Sequence, residues 1–176
     1  MDTRKEERIA QLAEAGLAAC LLKLSFAAPG EWKLEDVAVS GGPPADWDAR
    51  AVAVRVTVSS EPPFSTALFF SEGDLPFLAS CFADARLQAA VGDRVTILEI
   101  GNIVLNALVN ALLKALGKSA IPSVPSFGSG PAEAGAARAA AGRVLVISAA
   151  VSAVRGGRSA GLRVGAVLPL TLAAKL

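Results

Sequence analysis

Residues 93–117 read DRVTILEIGNIVLNALVNALLKALG, and the fold turns on how that stretch is taken. At roughly 100° per residue, a helix brings Glu99, Asn102, Asn106 and Asn110 within about 80° of one another, one acid and three amides in a single stripe. Ile97, Leu98, Ile100, Val104, Leu105, Leu108, Ala111 and Leu112 fall on the opposite flank, a width suited to packing on a core. Asparagine is a poor helix former because its side chain competes for backbone hydrogen bonds. Three in one register therefore need a reason. A solvated face is the plain one, although Lys, Glu or Gln would serve it with less loss of helix propensity.

Working outward, Asp93 is the expected cap of this helix, and Gly117 stands where a left-handed C-terminal residue is preferred. On the N-terminal side, residues 5–27 carry apolar positions at Ile9, Leu12, Leu17, Cys20, Leu21 and Leu24 with helical period, stopped by Pro29 and Gly30. Residues 32–40 read as a strand and GGPP at 41–44 as a loop. In the next segment Val52, Val54, Val56 and Val58 share one face and Ala51, Ala53, Arg55 and Thr57 the other, the pattern of a strand in a sheet with one buried face. STALFF at 65–70 is its hairpin partner across a wide turn. Asp74 is read as the cap of a helix running to about Leu87, with Pro76 tolerated in its first turn.

Beyond the long helix, residues 119–127 are expected to be extended, since each proline disfavours helix in its predecessor. Residues 128–142, rich in Gly and Ala, read as a flexible connector with room for one helical turn. Arg143–Val154 and Gly161–Leu170 flank RGGRSA as a second hairpin. The order is helix, strand, hairpin, helix, then helix, strand, hairpin. It is that of a duplicated α+β domain over 1–176, with halves about 1–90 and 91–176 and long helices packed on a mainly antiparallel sheet. Laying the halves together aligns Glu14-Ala15-Gly16-Leu17 with Glu99-Ile100-Gly101-Asn102.

Composition narrows the chemistry. A net charge of +1 and no basic stripe with interleaved aromatics argue against nucleic acid. Histidine is absent, which removes the commonest general base and metal ligand. Cys20 and Cys81 stand far apart amid apolar neighbours, the usage of buried free thiols in a cytoplasmic protein. The start MDTRKEER is no signal peptide, and the apolar run of 93–117 is interrupted by Glu99 and three Asn, so no membrane span is expected.

At Glu99-Ile-Gly-Asn102-Ile the sequence resembles the CheC/CheX/FliY family of response-regulator phosphatases of bacterial chemotaxis. The family signature is an acidic or serine residue, three residues, Glu, two residues, Asn, and a proline some twenty residues on. Glu99 and Asn102 have that spacing, and Pro125 follows Asn102 with 22 residues between. The match is specific over 93–127 and topological elsewhere. The signature's leading position falls at Val95, with Asp93 two places too early.

The resemblance implies a CheC-like fold and a phosphatase acting on the aspartyl phosphate of a CheY-like receiver. Asn102 would orient water, Glu99 would pair with the receiver's lysine, and Asn106 and Gly101 would border the partner. It implies one active centre, with Glu14 and Leu17 as a degenerate second site lacking the amide. No cofactor of its own is implied, the Mg ion belonging to the receiver. CheD docking, which in the family uses a helix near the end of the second half, has only Thr171–Leu176 to work with here. Two other readings compete: a non-catalytic binding module of the same fold, akin to flagellar-switch proteins, and a homodimer whose polar stripe sets register at a helix seam. An exposed Glu99 and Asn102 would favour catalysis over the seam.

Overall fold

A computed structural model describes residues 3–176. The long stretch is helical as its period demands: α4 spans Asp93–Ala115, and Gly117 follows with φ 61°. The first helix, α1, runs Thr3–Ala27 with Ile9, Ala13, Leu17, Leu21 and Leu24 turned inward. Both helices reach the length and mean hydropathy (1.4 and 1.7) of a membrane span. They lie side by side on a sheet, however, and their apolar stripes cover it. The close approach rests on Gly16, where a β-carbon would come within 2.8 Å of Ala111 Cβ.

The sheet has six strands: β1 (Glu31–Ser40), β2 (Val52–Val58), β3 (Phe64–Phe70), β4 (Ser126–Ser129), β5 (Val144–Arg155) and β6 (Arg158–Pro169). Their order is β1-β5-β6-β3-β2-β4, antiparallel throughout. That order reads the same from both edges once the halves are interchanged. The edge strand of each half pairs with the hairpin of the other, β1 with β5 and β4 with β2, while β3 meets β6 at the centre. The second hairpin closes through Gly156 and Gly157, with φ 58° and 78°, the left-handed pair that a two-residue turn requires.

Packing follows the alternation. Val54, Val56 and Val58 are fully buried under α4 and α1 together with Leu68, Phe70, Ile147 and Val164. The other face of β2 is not simply solvated, because Ala53 is equally buried there. Trp47, in a short 3-10 turn (Ala45–Trp47), stacks on Phe69 at 4.3 Å and joins Ala67, Ala134, Ala137 and Val146 in a smaller second core.

Three local expectations are corrected. The helix foreseen from Asp74 to about Leu87 is two helices, α2 (Leu75–Phe82) and α3 (Ala85–Val91), parted where Ala83 turns extended. Asp74 makes no side-chain cap bond, whereas Asp84 caps α3 by accepting from Leu87 N at 2.9 Å. Asp93 does not cap α4 either. It is the first helical residue, its Oδ1 accepts from Gln88 Nε2 at 2.6 Å, and Gly92 stands at the cap with φ 80°. The supposed flexible connector holds α5 (Gly130–Ala139), whose Ala134 and Ala137 pack beside Trp47. A last short helix, α6 (Leu170–Ala173), follows β6.

Two arginines at the second hairpin reach across to α2. Arg155 donates to Ser80 O, and Arg158 lies 4.5 Å above the Phe77 ring and 3.9 Å from Asp74, so both tie α2 to the hairpin.

Candidate functional site

The polar stripe of α4 lies on its outward flank. Ile97, Ile100, Val104, Leu105 and Leu108 are turned into the core, which leaves Glu99 and Asn110 exposed and Asn102 and Asn106 half-buried. Glu99 and Asn102 therefore point away from the sheet one turn apart. Among the described residues no hydrogen bond or ion pair engages Glu99. Val95, at the leading position of the signature, is 55% exposed on the same flank.

Asn102 is not free. Asn106 Nδ2 donates to Asn102 Oδ1 at 2.8 Å, a contact between side chains four residues apart on one helix face. One lone pair of Asn102 Oδ1 is thereby occupied, leaving the other and both Nδ2 protons for a partner. Asn106 Oδ1 is sealed from solvent and has no partner among the described residues. Leaving a buried acceptor unmatched costs about 1–3 kcal/mol. The i, i+4 spacing of the two amides was available in the sequence, but their hydrogen bond was not foreseen.

Asn106 and Asn110 also line one wall of a groove of about 680 Å³, bounded further by Cys20, Lys23, Phe82 and Leu87. No sequence signal announced this groove, because its walls come from α1, α2, α3 and α4. The Cys20 thiol is half-buried there and approaches Ile103 O at 3.8 Å. Desolvation pushes its pKa up, opposed by Lys23. Cys81 is fully buried under Gly30, and its thiol is likewise pushed up by burial. In both, burial outweighs the neighbouring cations, Lys23 at Cys20 and Arg155 and Arg158 at Cys81, which is not the setting of a reactive thiolate.

Gly101 does not border the exposed surface. It is buried on the sheet side of α4, against Val54. The pairing of Glu14 and Leu17 with Glu99 and Asn102 is out of phase in the same sense. Glu14 is exposed but Leu17 is fully buried. Carried from 14 to 99, a shift of 85, the inward residues of α1 fall on Arg94, Leu98, Asn102, Asn106 and Val109, of which only Val109 is buried. Carried one residue less, they fall on Asp93 and the buried Ile97, Gly101, Leu105 and Leu108. In that register Ala15 and Ala18 stand opposite Glu99 and Asn102, with neither acid nor amide. Among the described residues, no group of three His, Cys, Asp or Glu side chains is arranged to hold a metal ion.

No family model and no curated protein matches the sequence. Solved structures match the fold over its whole extent. FliY from Thermotoga maritima superposes with a TM-score of 0.59 at 12% identity, covering 99% of this chain and 94% of that one. The chemotaxis protein CheX from Desulfovibrio desulfuricans gives 0.56 at 13%, covering 92% and 99%. The FliM middle domain from H. pylori gives 0.60 at 8%, covering all of both chains. With its antiparallel six-stranded sheet under two long helices, the chain has the α+β fold of the CheC/CheX/FliY family, a fold that it also shares with the FliM middle domain.

Proposed function

We propose that the chain is a phosphatase for a phosphorylated CheY-like receiver domain and works with one active centre, Glu99 and Asn102. The observation that carries this reading is the disposition of the pair. A carboxylate and a carboxamide stand one turn apart on the outward flank of α4, at the spacing of the family signature and in a fold shared with FliY and CheX.

The receiver brings the acyl phosphate, the divalent cation and a lysine. The phosphatase need only order a water for in-line attack. Asn102 Nδ2 donates to the water oxygen and the free lone pair of Oδ1 accepts one of its protons, much as a glutamine positions water in GTPases. The water oxygen bonds to phosphorus as the bond to the aspartyl oxygen breaks, giving inorganic phosphate and a free carboxylate. Glu99, unpaired among the described residues, is available to the receiver's lysine. None of these roles requires histidine or a metal held by this chain, and the setting is the cytoplasm, where receivers are phosphorylated.

The test is phosphate release from a phosphorylated receiver. Asn102→Ala abolishes the acceleration and leaves the fold intact, since the side chain lies on the outward flank. Undiminished release by that variant overturns the assignment.

A non-catalytic binding module is the second reading. It is favoured by the likeness to FliM, whose domain is solved in complexes with FliG and with SpeE. On that reading the chain binds its partner without accelerating phosphate release.

A further inference from the structure

We propose that Asn106 is a positioning residue for Asn102, holding its carboxamide in the one orientation that presents Nδ2 outward. The inference rests on the phosphatase reading and assigns within it a residue that the signature does not contain.

Free asparagine turns about its terminal torsion with little preference, exchanging the places of oxygen and nitrogen. A water-orienting amide with that freedom presents the wrong atom for part of the time. The bond from Asn106 Nδ2 to Asn102 Oδ1, 2.8 Å long, ties one end of the Asn102 amide and limits that freedom. Oδ1 is held along the helix, so Nδ2 must face away from Asn106.

The other end of Asn106 strengthens the argument. An asparagine kept only to wet a helix face has both ends in water. Asn106 is half-buried, with its Oδ1 shut off from solvent and matched by no donor among the described residues. That oxygen is one of seven buried side-chain atoms left unmatched among the described residues, each at a desolvation cost. Here the amide is fixed so that its donor end meets Asn102, and its acceptor end is left unsatisfied. Leucine at 106 would be a better helix former with the same branching, so helix propensity does not account for the amide.

The experiment compares the wild-type chain with Asn106→Leu, which keeps the branching and heavy-atom count and removes the donor, and with Asn106→Asp, which keeps the shape and cannot donate when ionised. Phosphate release is measured across receiver concentrations, and the side-chain amide signals of Asn102 and Asn106 are followed by NMR. Catalysis is sensitive to small misplacements. The expected result is a fall in kcat of about tenfold or more in both variants, with the KM of Asn106→Leu within about twofold of wild type. In wild type one Asn106 amide proton is protected from exchange. In Asn106→Leu the Asn102 signals move to the positions of a freely turning amide.

Unchanged kcat in Asn106→Leu, alongside an inactive Asn102→Ala, overturns the positioning role while sparing the phosphatase reading. Wild-type turnover in Asn102→Ala removes that reading, and the positioning role with it.

Discussion

A methyl group placed on Gly101 would lie 2.6 Å from Val54 Cγ1 and 3.2 Å from Val54 Cβ. The helix that carries Glu99 and Asn102 thus touches the sheet backbone-first, at one of the two residues lying between them in sequence. Gly101→Ala must lift α4 from β2 or force Val54 aside, an overpacking worth about 1–3 kcal/mol. Thermal unfolding should show the loss. The double variant Gly101→Ala/Val54→Ala should be more stable than the sum of the single changes, because the two sites share one contact. Additive effects would mean that the helix does not sit on Val54 as described. On the proposed function, phosphate release by Gly101→Ala should fall as well, because the lifted segment carries Glu99 and Asn102.

The leading position of the signature offers the opposite kind of change. Val95 is 55% exposed, four residues before Glu99, and nothing in the core depends on it. Val95→Asp removes exposed apolar surface and adds a negative charge in the first turn of α4, where the helix dipole favours it. Stability should stay within about 0.5 kcal/mol. If the phosphatase reading is right, restoring the acidic residue should raise turnover several-fold in the same release assay. A stable variant with unaltered turnover would mean that this chain makes no use of that position.

These two residues also mark what was legible in the sequence. The exposed flank of α4 and the valine alternation of β2 could be read directly, because a residue's face is fixed by its helix or strand period. The buried face of Gly101 was also implied by the helical period. It was missed because proximity to Glu99 and Asn102 along the chain was allowed to stand for proximity in space. Exchange of edge strands between halves could not be read. β1 and β4 carry no mark of which hairpin they join, and that choice belongs to the tertiary structure. The caps were ambiguous for a related reason: Asp74, Asp84 and Asp93 all satisfy the composition rule, yet only Asp84 accepts the first-turn amide. The break at Ala83 has neither proline nor glycine to announce it. At the site, the Asn102–Asn106 spacing was visible, but which end of each amide meets the other depends on what seals Asn106 Oδ1.

The segment that composition described least well, α5, supplies a test with two signs. A β-carbon on Gly130 would fall 1.7 Å from Arg50 O and 3.2 Å from Trp47 O, both backbone atoms. Such atoms cannot step aside as a side chain can. Gly130→Ala should therefore displace the start of α5 from the second core and cost about 3 kcal/mol or more, beyond the usual range for overpacking. Gly135 is exposed in the interior of the same helix and has nothing within 4 Å of its β-carbon position. Gly135→Ala should stabilise by about 0.5–1 kcal/mol, because alanine loses less backbone entropy in a helix. Measuring both by denaturant unfolding separates a docked helix from a flexible connector. In a connector Gly130→Ala would be nearly silent and Gly135→Ala would gain nothing from helix propensity, so opposite signs at positions five residues apart require the helix and its seat against Arg50.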